Sequence, residues 1–218
     1  PNAMTKEIAT VVRYGSQTIL EQTGQCNGSA DCRKSALAGG TMCPSYMATL
    51  DEKNTTRARA NILREFLTHS TKDNPFDHPE IKEVMDLCLS CKGCKIECPS
   101  SVDMAKLKAE FLQAYYDANG MPLRTRMVGM VDQLTSIAAH VPTLYNWVVT
   151  NPLTSKWVKK TLGFTTKREL PLLGKQSLRD WFIKKDKPLW NIKKPIKSVY
   201  FFCDEFTNYN DVEIGKKS

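Results

Sequence analysis

Cys88-Leu89-Ser90-Cys91-Lys92-Gly93-Cys94-Lys95-Ile96-Glu97-Cys98-Pro99 reads C-x2-C-x2-C-x3-C-P, and this run decides the fold of the chain. Three thiolates at i, i+3 and i+6 on a tight loop can hold three irons of one iron–sulfur cubane. The fourth cysteine leaves that loop, and the proline turns the chain away from it. In proteins with two such clusters the fourth cysteine serves the other cluster, so a second cysteine set is required elsewhere. Cys26, Cys32 and Cys43-Pro44 lie upstream and supply it.

The upstream set departs from the pattern at a definable place. Cys26-Asn27-Gly28-Ser29-Ala30-Asp31-Cys32 keeps the first and third positions, but Ser29 stands where the second cysteine belongs. Ten residues, rather than three, then separate Cys32 from Cys43. Under the crossing rule, Cys43, Cys88, Cys91 and Cys94 form a complete four-thiolate site. Cys26, Cys32 and Cys98 form a three-thiolate site with a missing corner. The Ser29 oxygen, water or nothing could close that corner, and a three-iron cluster or an empty site are further alternatives. The expectation is one [4Fe-4S] site and a second, incomplete one.

Zinc and disulfides are the rival uses of these cysteines. Structural zinc sites use two separated ligand pairs in a tetrahedral set, which four cysteines in one short run ending in Cys-Pro fit poorly. Disulfides suit an oxidising compartment, yet the first residues carry no apolar signal-peptide core. Cys203 sits alone in an apolar segment and reads as a buried thiol. His69, His78 and His140 are isolated and read as ordinary surface or core histidines. Met104, Met121, Met127 and Met130 read as helix packing, and Tyr115 and Tyr116 as neighbours in and beside a core.

With 218 residues the chain can bury a sizeable core as one large or two small domains. No run approaches the roughly 18 apolar residues of a membrane span. The thiolate ligands favour a reducing compartment, so a cytoplasmic protein is expected, with peripheral contact at the inner membrane as a second location. Pro1-Asn2-Ala3 before Met4 reads as a vector-derived leader. The net charge is +8, and residues 151–200 alone hold thirteen Lys or Arg against three Asp or Glu. Such a face can be solvated, dock an acidic partner or lie near an anionic membrane. No recognised nucleic-acid motif accompanies it, so nucleic acid is not expected as a partner.

Along the chain, residues 8–22 suggest short extended pieces, and a cysteine-bearing loop follows to about Ser45. Thr55 or Asn54 can cap a helix carrying Ile62, Leu63, Phe66 and Leu67. Pro79 opens a short helix that delivers the Cys88 run. A helix from Val102-Asp103 bears Leu107, Phe111 and Tyr115 and ends at Asn119-Gly120. Further helices are expected from Leu123 to His140, after Pro142 and Pro152 with Trp147 and Trp157, and over Ser177–Ile183. Residues 196–203 read as a buried strand, Asp204–Asn210 as a polar turn and Asp211–Lys217 as helical. A single strand cannot stand alone in water, so the chain is expected to stop just inside an α/β domain. The expected class is mainly α: an α-helical two-cluster arrangement with a C-terminal strand-helix piece. The expected segments are a leader and linker at 1–25, the cysteine domain at 26–164, an irregular basic linker at 165–195 and the start of the α/β domain at 196–218.

The motifs Cys26-Asn27-Gly28, Cys32-Arg33-Lys34, Met42-Cys43-Pro44-Ser45-Tyr46, Thr56-Arg57-Ala58-Arg59-Ala60-Asn61 and the Cys88–Pro99 run together resemble one family. They look like the C-terminal iron–sulfur half of bacterial FAD-linked oxidases of the D-2-hydroxyglutarate and D-lactate dehydrogenase type. The glycolate oxidase iron–sulfur subunit and heterodisulfide reductase-type proteins are more distant relatives. Phe201-Phe202-Cys203-Asp204-Glu205-Phe206 is similar to the start of that family's cysteine-rich α/β domain. The resemblance implies an α-helical ferredoxin domain that passes single electrons from a reduced FAD to a quinone or soluble carrier. It implies an FAD-binding domain in a missing N-terminal half, and Cys-Cys-Gly motifs beyond the present C-terminus. This sequence itself shows no dinucleotide fingerprint and no nucleophile with a paired base, so no catalytic residue is expected within it. The rival functions are an electron-transfer subunit of a respiratory or heterodisulfide-reductase-type complex, and a zinc-stabilised nucleic-acid-binding module. Lys92 and Lys95 in the loop bring positive charge that favours a reduced cluster, and Gly93 permits close backbone N–H donation to its sulfides. Arg57 and Arg59 could act electrostatically in the same way, bind the flavin domain or be solvated helix charges.

Overall fold

The computed structural model describes residues 8–186 and 199–218, which are helical and irregular and contain no strand. Two compact units divide between Met121 and Pro122. The span 26–164 expected for the cysteine domain crosses that division.

The first unit is built on helices whose starts are written in local chemistry. Helix α1 (Ile19–Gly24) opens with a reciprocal cap: Glu21 N–H donates to Thr18 Oγ1 and Thr18 N–H donates to the Glu21 carboxylate at 2.7 Å. The extended reading of residues 8–22 therefore fails from Ile19 onward, where the Thr18-x-x-Glu21 signature outweighs the β-branched composition. Helix α2 (Pro44–Thr49) and helix α4 (Pro79–Asp86) start with proline, whose missing N–H costs nothing at a first turn. Helix α3 (Thr56–His69) is capped by Thr55, which accepts from Ala58 N–H at 3.0 Å. Helix α5 (Gly93–Glu97) lies within the cysteine run. Helix α6 (Met104–Asn119) is capped by Asp103, which accepts from Lys106 N–H.

These helices converge on one core. Leu63 and Leu67 of α3, Ile81 and Met85 of α4, and Leu107 and Phe111 of α6 are buried together with Phe76 and Val102. Phe76 meets Phe111 edge to face at 5.8 Å. Cys32, Cys43 and Cys94 belong to the same cluster, so the cysteine loops are anchored in the core they decorate. The N-terminal segment is strapped to α6. The buried carboxylate of Glu110 accepts from Val11 N–H at 2.6 Å and Val12 N–H at 2.9 Å.

The second unit holds α7 (Leu123–Gly129), α8 (Val131–Ala138), α9 (Pro142–Thr150), α10 (Pro152–Thr161), α11 (Leu178–Asp186), α12 (Glu205–Tyr209) and α13 (Val212–Lys217). The single helix expected from Leu123 to His140 is interrupted at Met130, directly after Gly129, the poorest helix former apart from proline. The Pro-started α9 and α10 follow expectation, and Asn151 caps α10. The amide of Asn146 holds Leu173 through both its backbone groups, at 2.8 and 2.9 Å.

The C-terminal expectations are corrected in two places. Residues 196–198 lie outside the described residues, but Val199–Cys203 is irregular, with Val199, Tyr200 and Phe202 almost fully exposed. No strand stands among the described residues to pair with it, and an unpaired strand has no ladder to hold its backbone. Cys203, expected as a buried thiol, is accordingly only half-buried. The polar turn expected over Asp204–Asn210 is helix α12, whose cap is Asp204 accepting from Thr207 N–H at 2.7 Å.

Candidate iron–sulfur centre

Cys43, Cys88, Cys91 and Cys94 line one small cavity of about 20 Å³ in the first unit. They come from three places in the chain. Cys43 is the residue before α2, Cys88 follows α4, and Cys91 and Cys94 sit at the entry to α5. Arg59, Thr56, Lys92 and Met104 complete much of the wall. Among the described residues no three His, Cys, Asp or Glu side chains form a group that could hold a single metal ion. The four cysteines instead share the lining of one small cavity.

The backbone around the cavity carries local cost. Cys43, Ser90 and Lys92 all have positive φ, at 56°, 54° and 61°. Each non-glycine residue held there costs on the order of 1 kcal/mol. Alternation between left-handed and ordinary residues turns successive N–H groups to one side, which is the geometry of an anion-binding nest. Ser90 and Lys92 bracket Cys91 and give its loop that shape.

Two donors address the Cys43 sulfur. Thr56 N–H donates to Cys43 Sγ at 3.1 Å, and the Thr56 hydroxyl lies 2.9 Å from the same atom. Thr56 is the first residue of α3, so the positive end of that helix faces the sulfur as well. The Cys32 thiol approaches Cys43 and the same helix start. Interaction with Cys43 lowers the Cys32 pKa, and the Arg57 N–H and Thr55 hydroxyl lower it further. The Cys43 pKa rises, first because of Cys32 and then through burial. Burial also pushes the Cys94 thiol up.

Arg59 is the most telling side chain in the wall. Only 2% of it is exposed, yet no carboxylate pairs with it among the described residues. Its Nε donates to Val84 C=O at 2.9 Å and its Nη2 to Ser45 Oγ at 3.1 Å. A permanently charged guanidinium buried without an acid calls for an anion beside it. Four thiolates around an iron–sulfur core carry net negative charge, so the donor set and the buried cation fit such a group together. Lys108 adds a second, half-buried cation, donating to Cys88 C=O at 2.6 Å. Arg57 is different: it points to Glu52 at 2.7 Å, and Glu52 also pairs with Arg33 at 2.9 Å. Lys92 and Lys95 reach the buried Asp103 carboxylate at 3.9 and 3.6 Å.

The two cysteine-bearing loops are interlocked. Glu97 accepts from Thr41 N–H and from the Thr41 hydroxyl, both at 2.6 Å, and from Met42 N–H at 3.1 Å. A Cβ on Gly93 would stand 3.0 Å from Thr41 C=O, and one on Gly40 would stand 2.5 Å from the Glu97 carboxylate. Glycine at both positions lets the loop before Cys43 close on the loop before Cys98.

Cys26, Cys32 and Cys98 do not line that cavity. Cys26 and Cys98 are half-buried at the edge of the core, and Cys32 is buried against Cys43 and α3. Ser29 is exposed, with its N–H turned to Asn27 Oδ1 at 3.0 Å. The histidines take ordinary partners: His69 meets Glu65, His78 meets Ser70 and His140 meets the Ser136 carbonyl. Sequence reading did not single out Thr56, Lys108 or Glu97. It noticed Arg59 only as a charge, although its register four residues before Leu63 places it on the apolar stripe of α3.

Residues 25–103 match the family model of the 4Fe-4S dicluster domain. Among curated proteins, the chain is similar to D-2-hydroxyglutarate dehydrogenase of Escherichia coli, 26% identical over 252 aligned residues that cover 96% of this chain and 24% of that protein. It is 28% identical over 170 residues to the enzyme of the same description from Pseudomonas putida, covering 63% of this chain and 16% of the relative. The Haemophilus influenzae counterpart is 24% identical, with 87% of this chain and 22% of the relative covered. The chain thus spans about a quarter or less of the length of these relatives. No solved structure matches it. Thiols sharing one cavity and a buried arginine without an acid beside them lie within residues 25–103, which match the 4Fe-4S dicluster domain, in a chain that resembles D-2-hydroxyglutarate dehydrogenases along most of its length.

Proposed function

We propose that this chain is the iron–sulfur electron-transfer part of an FAD-linked 2-hydroxy acid dehydrogenase. The observation that carries the reading is the convergence of Cys43, Cys88, Cys91 and Cys94 on a cavity that also exposes a buried, unpaired arginine. When bound, an iron–sulfur cluster accepts one electron at a time, whereas a flavin reduced by hydride holds two. Such a module therefore splits an electron pair for a one-electron acceptor such as a quinone or a soluble carrier.

In this reading the chain's own residues hold, neutralise and shield. Cys43, Cys88, Cys91 and Cys94 are the four ligands of the complete site. Thr56 donates to the Cys43 sulfur, which favours the more reduced state by spreading negative charge. Arg59 does the same across the cavity by charge. Cys26, Cys32 and Cys98 are ligands of a second, incomplete site. The flavin partner is expected in the same polypeptide, because the relatives carry the matching stretch within chains about four times as long.

Anaerobic purification followed by iron and acid-labile sulfide analysis tests the reading. About four of each per chain, with an EPR signal that appears on reduction, supports it. A colourless protein holding zinc at the same cysteines and no sulfide refutes it.

A further inference from the structure

A second cationic feature lies in the unit formed by residues 122–218, apart from the cysteines. Helix α10 and the segment 166–172 border a groove of about 540 Å³. Lys156, Lys159, Lys167 and Arg168 line it, opposed only by Glu169. Lys159 is 7% exposed, its stem buried and its ammonium open to the groove, with no hydrogen bond or ion pair among the described residues. None of the other three cations forms an ion pair there either. Four like charges around one groove repel one another, and an anion seated there would relieve that repulsion.

We propose that this groove binds a phosphate group. A phosphate monoester carries between about −1.5 and −2 charges and three acceptor oxygens, which matches a net excess of cations better than one carboxylate does. Lysine serves phosphate as a point charge, and arginine can hold two of its oxygens at once. Ser155 and Thr166 add hydroxyl donors at the same wall. Leu170 and Leu172 form an apolar flank for whatever carries the phosphate. Two sources share that chemistry: a soluble organic phosphate and the headgroup of an anionic phospholipid. Leu153 and Trp157, 82% and 70% exposed on the same helix, are the side chains a lipid surface would engage.

The test uses the 218-residue chain at low salt with two probes. Pyrophosphate is titrated by calorimetry, and vesicles of phosphatidylcholine with or without phosphatidic acid are followed by co-sedimentation. Saturable pyrophosphate binding that Lys159→Met weakens about tenfold or more, the scale of one charged hydrogen bond, supports the site and a soluble source. Binding confined to phosphatidic acid vesicles, and lost in Lys159→Met, supports the site and a lipid source. Lys156→Gln with Arg168→Gln, both more exposed, should reproduce the loss if Lys159→Met fails to fold, whereas Lys216→Gln outside the groove should leave binding unchanged. Absence of saturable binding to either probe, or binding untouched by the groove variants, overturns the proposal.

Discussion

Two sets of cysteines share the first unit, and the structure treats them differently. Cys43, Cys88, Cys91 and Cys94 surround one cavity that has a cation and helix-end donors of its own. Cys26, Cys32 and Cys98 are spread from the buried start of α3 to the half-buried edge of the core, and the would-be fourth ligand, Ser29, faces solvent. The contrast teaches that a ligand pattern is more than its spacing. A competent site also brings charge placed to meet it, and the cavity of the first set is lined by Arg59, a buried cation without an acidic partner among the described residues.

The sharpest way to break this contrast is to remove one thiol from each set. Cys91→Ser should lose nearly all iron, because the remaining three thiolates leave a corner iron without its ligand. Cys26→Ser should keep about four irons per chain. Equal losses in the two variants would mean that the sets depend on each other and that the distinction drawn here is wrong.

Arg59 gives the next largest effect. Arg59→Met in iron-loaded protein should lower the reduction potential by on the order of 100 mV, the Coulomb energy of one charge several ångströms from the cavity. In the metal-free protein the same substitution should raise the unfolding free energy, since removing an uncompensated buried charge relieves it. An unchanged potential, measured by EPR-monitored titration, would show that Arg59 is only a structural strut for Val84 and Ser45.

The interlock between the two loops sharpens the comparison from the side of stability. Gly93→Ala places a methyl against Thr41 C=O and should cost about 1–3 kcal/mol of unfolding free energy in chemical denaturation. The smaller expected change belongs to Thr56→Val, which removes the hydroxyl from Cys43 and keeps the N–H. A shift of a few tens of millivolts to lower potential is expected, equivalent to about 1 kcal/mol. Cys203→Ser, in the other unit, should alter neither iron content nor potential.

Much of this arrangement was legible before any coordinates. The C-x2-C-x2-C-x3-C-P run paired with a distant Cys-Pro groups Cys43 with Cys88, Cys91 and Cys94, and the four line one cavity, while their ligand role is a proposal. Pro44, Pro79, Pro142 and Pro152 stand at helix starts because proline disfavours every other helical position. What failed was composition read without partners. The apolar run from Val199 looks like a strand, but a strand exists only by pairing, and pairing is not a local property. The Thr18-Glu21 cap is a local signal that overrides the β-branched composition around it. Arg59 was invisible as a buried cation because arginine ordinarily marks a surface, and only the stripe of Ala60, Leu63 and Leu67 around it tells otherwise. The division at Met121 falls in Asn119-Gly120-Met121-Pro122, a turn-like stretch that separates two helices as easily as two units.

The central claim is that the cavity lined by Cys43, Cys88, Cys91 and Cys94 holds a four-iron cluster. Iron and acid-labile sulfide counted on the anaerobically purified Cys26→Ser variant address it most directly, since that chain retains only the complete site. About four irons and four sulfides, with an EPR signal that appears on dithionite reduction, is the predicted result. Iron below one per chain, or zinc without sulfide, would contradict it.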